Sequence, residues 1–120
     1  MVKRMEGIDQ SRKAGGELSP ERCRTVIQNL GDRCTIIDVR TGDEYSEGHL
    51  PGAVNLDLLN GELATGIGRL EKDVPCVVYC RRGIRGRKAM DLLQSAGFSE
   101  VYNISGGYEQ WKAAGLPTTS

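Results

Sequence analysis

The sequence predicts an α/β protein, built on a mostly parallel sheet with helices on both faces. Three observations carry that expectation. Cys34–Val39 and Val74–Tyr79 are short β-branched or apolar runs without the strict alternation of a half-exposed strand, the pattern of strands buried in a parallel sheet. Helix signals separate these runs, and strands joined through helices cross over right-handedly into parallel neighbours. The chain of 120 residues has the length of one domain, able to bury roughly two-thirds of its unfolded surface.

In chain order, residues 1–17 read as a polar arm that ends in a short first strand near Gly16–Leu18. The domain proper is expected over 18–117, with 118–120 as a tail. Ser19-Pro20-Glu21 is a helix start: a hydroxyl N-cap, a Pro where its missing donor is harmless, and an acid near the positive helix end. That helix runs to about Asn29, and Gly31 ends it before the Cys34–Val39 strand. Thr41–Tyr45 reads as one helical turn, Gly48–Gly52 as a turn, and Ala53–Leu56 as a short strand. A helix is expected over Leu56–Leu63, then an irregular stretch with glycines at 61, 66 and 68. After the Val74–Tyr79 strand, Ala89, Leu92, Leu93 and Ala96 repeat at helical spacing, and Gly97 closes that helix. Glu100–Ile104 is the last strand, Ser105 the expected cap of a final helix with Tyr108 and Trp111, and Gly115 with Pro117 its end.

Composition narrows the function classes. Hydrophobic residues make up 38% and charged residues 27%, with 16 basic and 16 acidic side chains and zero net charge. A general nucleic-acid binder needs a basic surplus, so no nucleic-acid partner is expected. The longest apolar run, Cys76–Cys80, is far short of the roughly 18 residues of a membrane span, and no apolar segment follows Lys3 and Arg4 as a secretory signal requires. A cytoplasmic location without membrane association is expected, where four cysteines are free thiols, metal ligands or catalytic groups rather than a disulfide framework.

The one steep charge excess follows Cys80. Of the eight residues Arg81, Arg82, Gly83, Ile84, Arg85, Gly86, Arg87 and Lys88, five are basic, and they open a helix whose dipole they oppose. A broken local rule of this kind marks a functional site, with an anion or an anionic side chain as compensation. Helix-terminal N–H groups and guanidinium charge favour a thiolate, the nucleophilic form. Without a proline, every residue of the loop keeps an N–H that a curled backbone can aim at one anion.

Three stretches then resemble the rhodanese family of sulfurtransferases in its single-domain form. They are Asp38-Val39-Arg40 with Glu44-Tyr45 and Gly48–Asn55; Val77–Arg85; and Ser105–Trp111 running to Gly115-Leu116-Pro117. The resemblance spans about Leu18–Pro117 and implies a five-stranded sheet. It also implies a two-step reaction: Cys80 takes the outer sulfur of a donor such as thiosulfate as a persulfide, and a thiophilic acceptor removes it. Arg85 matches the basic position that ends the family's loop and is expected to orient the anionic donor. Arg81 and Arg82 favour thiosulfate over 3-mercaptopyruvate, and Gly83, Ile84 and Gly86 complete the substrate-binding set. The acceptor is a thiol, cyanide in an assay, or a sulfur-accepting protein, and no cofactor or metal is called for.

Two other readings compete with this one. Phosphatase or arsenate-reductase chemistry on the same fold uses a loop of Cys, five residues and Arg, with a His before the Cys; here those positions hold Gly86 and Tyr79. A non-catalytic or carrier module would bind a partner through the basic loop, although inactive relatives typically lack the cysteine. His49, the only histidine, reads as turn architecture; Asp38 and Arg40 either support the site or form an internal salt bridge. Glu44 and Glu47 read as solvated acids, and Gly66-Ile67-Gly68 is no nucleotide fingerprint. Cys23, Cys34 and Cys76 read as core residues, with a resolving role for Cys76 as a minor hypothesis.

Overall fold

The computed structural model describes residues 14–120. Strand β1 (Ala14–Leu18) leads into helix α1 (Pro20–Leu30), followed by β2 (Thr35–Asp38), α2 (Gly42–Glu47), β3 (Val54–Asn55) and α3 (Glu62–Gly66). Then come β4 (Cys76–Tyr79), α4 (Ile84–Ser95), β5 (Glu100–Ile104) and α5 (Gly107–Ala113). The five strands form one sheet in the order β1-β5-β4-β2-β3, every pair parallel. The first strand starts earlier than expected, taking residues 14–17 of the presumed arm into register with Glu100–Asn103 of β5. The rest of that arm, residues 1–13, lies outside the described residues. At the other end Thr119 exchanges two backbone hydrogen bonds with His49, so the tail is tied down.

Side chains alternate across the sheet, and β4 shows the consequence most directly. Cys76, Val78 and Cys80 face a core shared with Leu63 of α3 and Ala89, Met90 and Leu93 of α4. Val77 and Tyr79 face the opposite core, with Cys23 of α1 and Tyr108 and Trp111 of α5. The buried stripe of α4 runs Gly86, Ala89, Met90 and Leu93, while Leu92 is exposed. The periodicity that included Leu92 was therefore off by part of a turn, because the smooth face at Gly86 lets the start of the helix lie against β5.

Three further expectations change. The helix placed at Leu56–Leu63 begins only at Glu62: Asp57 accepts from the Leu59 N–H, Asn60 accepts from the Glu62 N–H, and Gly61 has φ +90°, so polar side chains hold turns where a helix was expected. Ser105 does not cap α5. Its N–H donates to the Leu18 carbonyl at 2.8 Å, and Gly106 takes the N-cap position without a side-chain bond. Cys76 opens β4 and Cys80 follows its last residue, on the order of 13 Å away at strand rise. A disulfide needs Cα atoms within about 7 Å, so the resolving role is excluded; all four cysteines are free.

Candidate active site

Cys80 is the first residue after β4, at the carboxyl edge of the sheet, where open α/β sheets hold their ligands. The chain then curls through Arg81, Arg82 and Gly83 and enters α4. Gly83 is the N-cap, at φ +109°, a conformation that side-chain-bearing residues avoid. The curl brings the Gly83 N–H to 3.0 Å from Cys80 Sγ, donating to the sulfur. Ile84, Arg85 and Gly86 form the first turn of α4, whose amides have no carbonyl one turn earlier in the helix to bond. The sulfur thus lies at the amino end of a twelve-residue helix.

The other side of the loop is held by α5. Its first amides, which a side-chain cap would ordinarily satisfy, donate instead to the loop: Tyr108 N–H to the Cys80 carbonyl at 2.7 Å and Glu109 N–H to the Arg81 carbonyl at 3.0 Å. Gly107 makes that approach possible. A Cβ there would lie 2.5 Å from the Cys80 oxygen.

A pocket of about 340 Å³ opens over the cysteine, lined by Cys80, Arg81, Arg82, Ile84 and Arg85. Cys80 is almost wholly buried and forms part of the wall, while Ile84 is 68% exposed at the rim. Gly83 contributes through its N–H. Gly86 lies behind the loop, buried against Asn103, where a Cβ would come within 2.2 Å of the amide oxygen. It is outside the pocket and leaves no room for the arginine of a longer anion loop.

The arginines do not stand free. Arg85 binds Glu44 in a fork, Nη1 to Oε1 at 2.9 Å and Nη2 to Oε2 at 3.2 Å, with both side chains about three-quarters buried. The Arg85 bond, against an opposing effect of burial and with help from Thr41, holds Glu44 down at about 2. Arg81 and Arg82 share Glu109, at 2.9 and 3.4 Å, and Arg87 pairs with Glu17 at 2.8 Å. Glu44 is therefore not the solvated acid its helix position implied, and the anionic compensation expected for the basic turn comes from three glutamates. Around the pocket, three guanidinium groups face two carboxylates, a net charge of +1.

Asp38 and Arg40 form a buried pair, Nη2 to Oδ2 at 2.6 Å and Nε to Oδ1 at 2.9 Å. Arg40 also donates to the Gly48 carbonyl at 2.6 Å and lies 4.3 Å from the Tyr108 ring centroid. Burial opposes its charge, but Asp38 outweighs that, leaving Arg40 above its ordinary range. The pair does not line the pocket over Cys80, but Arg40 lines a neighbouring cleft with Glu44, Arg81, Tyr108 and Glu109. His49 stacks on Tyr45 with centroids 3.7 Å apart, and its Nδ1 lies 2.9 Å from the Tyr45 carbonyl, in keeping with a turn role. Burial pushes the Cys23 and Cys76 thiols up to about 12 and Cys34 to about 11, so these three are poor nucleophiles.

Fold and site together define a parallel α/β domain that presents one cysteine in a basic, glycine-bearing loop between a strand and a helix. The family model described as Rhodanese-like domain matches residues 23–114, and the chain belongs to that family. The thiosulfate sulfurtransferase GlpE of Shewanella oneidensis is 40% identical over 79 residues, 66% of this chain and 76% of that protein. GlpE of Pseudomonas savastanoi pv. phaseolicola is 37% identical over 96 residues, covering 80% of this chain and 86% of that one. Among solved structures, the rhodanese-like domain of Alr3790 from Anabaena matches with a TM-score of 0.76 at 30% identity, over 87% of this chain and 78% of the other.

Proposed function

We propose that this protein is a thiosulfate sulfurtransferase that carries the sulfur on Cys80. The observation that carries the reading is the Gly83 N–H at 3.0 Å from Cys80 Sγ, in the wall of a basic pocket at a helix amino end. Relatives named thiosulfate sulfurtransferase over most of this chain support the choice of donor. In the first step the Cys80 thiolate attacks the outer sulfur of thiosulfate. The new S–S bond forms as the old one breaks, and sulfite leaves with the electron pair. In the second, cyanide or a thiolate attacks the terminal sulfur, takes it, and returns the Cys80 thiolate; a sulfur-accepting protein can fill the same role. No net oxidant is required. Main-chain donors suit a site that holds a thiolate, a persulfide anion and a departing dianion in turn. Arg81 and Arg82 supply the net positive charge at the mouth. Arg85 meets the donor as half of a neutral pair with Glu44 and shapes the pocket wall. The cytoplasm, where thiols stay reduced, is the compartment that suits this chemistry.

Intact mass after incubation with thiosulfate tests the reading. The expected result is a gain of one sulfur atom, lost on adding excess cyanide, and no gain in Cys80→Ser. A phosphatase or a plain binding module gains nothing, and a gain that survives in Cys80→Ser refutes the assignment of the carrier.

A further inference from the structure

We propose that Asn103 is a positioning residue for the sulfur chemistry, acting through Gly83. The residue is wholly buried on β5, behind the cysteine loop. Its Nδ2 donates to the Gly83 carbonyl and to Glu17 Oε2, each at 3.1 Å. The same Glu17 oxygen accepts from Arg87 Nε at 2.8 Å. A continuous chain of contacts therefore runs from Arg87 through Glu17, Asn103 and Gly83 to Cys80 Sγ.

The orientation of the amide is fixed, because turning it over would set its oxygen against the Gly83 carbonyl and the Glu17 carboxylate. In the orientation seen, Oδ1 is buried without a hydrogen-bond partner, facing Gly86. An aliphatic side chain of similar size would fill the space with no orphaned acceptor. What asparagine adds is the donor to Gly83. That carbonyl already accepts the first bond of α4, from the Arg87 N–H at 3.0 Å, so the second donor is not needed to satisfy it. Its effect is on direction. Gly83 has no side chain to limit its dihedrals, and its carbonyl and N–H belong to adjoining peptide planes joined at one Cα, so holding the carbonyl restricts the rotations by which the N–H can turn from the sulfur. Gly86 is required for the same arrangement, since any Cβ there would displace the amide.

The proposal deepens the sulfurtransferase reading but is tested without sulfur transfer. The rate at which iodoacetamide modifies Cys80 is measured on the full chain at one pH, with the modified peptide identified by mass. Asn103→Ala is expected to slow modification about tenfold to a hundredfold, because the charged sulfur loses an aimed donor. Glu17→Ala, a surface change that keeps the variant foldable, is expected to slow it about two- to fivefold by freeing the amide. A merely structural asparagine predicts the opposite sign, since a loosened loop exposes the sulfur and speeds modification. An unchanged or faster rate in folded Asn103→Ala overturns the proposal. Should that variant not fold, an unchanged or faster rate in Glu17→Ala does so.

Discussion

Gly106 and Gly107 are adjacent, both have positive φ (+76° and +65°), and they predict different consequences when replaced by alanine. Each replacement incurs the left-handed penalty of roughly 1–2 kcal/mol. At Gly106 the new Cβ meets Gln110: its Cγ can swing away, but its Cβ at 2.8 Å is fixed to the helix, so a shift within the first turn of α5 adds to that figure while the loop carbonyls are not touched. At Gly107 it meets backbone: the Cys80 oxygen at 2.5 Å and the Arg81 carbon and oxygen at 2.6 Å. Helix α5 must then withdraw from the loop. The bonds from Tyr108 and Glu109 to the Cys80 and Arg81 carbonyls stretch, each worth about 1 kcal/mol. Gly107→Ala should therefore lose roughly 3–4 kcal/mol, about 1–2 more than Gly106→Ala. Urea unfolding reads the difference. With slopes of about 1–3 kcal/mol/M, the midpoints of the two variants should differ by on the order of 1 M. Sulfur loading from thiosulfate should fall in Gly107→Ala well below its melting transition and persist in Gly106→Ala. Equal midpoints with equal loading would refute the claim that α5 clamps the cysteine loop.

Glu44→Gln should release Arg85 to the donor and lower the thiosulfate KM about three- to tenfold, an effect worn away by added salt; an unchanged KM would mean that Arg85 stays out of reach of the donor. The same carboxylate predicts an acid profile. Its value is depressed in the folded chain, to about 2 from an ordinary 4.5, so its contribution to stability is complete above pH 4.5 and is lost as pH falls through 2. Urea midpoints of the parent and of Glu44→Gln should therefore converge over that window, and a constant gap would exclude the pair as its cause.

The strand that carries Cys80 was legible because β4 is uniformly apolar and local in sequence, and the basic turn was legible because its charges are consecutive. The partners of those charges were not. Glu109, Glu44 and Glu17 lie 28, 41 and 70 residues from the arginines they meet. Helical position alone made Glu44 look solvated, since nothing local distinguishes an acid that faces water from one that faces another element. Asn103 was invisible for a related reason: its amide is explained only by Gly83 and Glu17, 20 and 86 residues earlier. The Ser105-Gly106-Gly107 run was seen as a helix start, but its use lay in the tertiary contact. The helix has no side-chain cap because its free amides hold the loop that carries the cysteine.

The three glutamates also explain how a helix tolerates basic residues at its positive end. They come from β1, α2 and α5, so each pair that offsets charge also ties a different element to the loop. The ties differ in strength. The Arg81 and Arg82 contacts to Glu109 are exposed and add little to stability, whereas the forked, mostly buried Arg85–Glu44 pair restrains α4 against α2. Because these pairs absorb most of the local charge, long-range attraction at the pocket is modest. On the proposed reading, discrimination among anions then falls to directed N–H groups such as that of Gly83, which act at hydrogen-bond range and only when held in place. A loop gripped by α5 below, by Asn103 behind and by glutamates at its sides has those donors set before the donor arrives. On the proposed reading Arg85 thus serves mainly to fix the loop, and Gly83 supplies the hydrogen bond to the sulfur of Cys80.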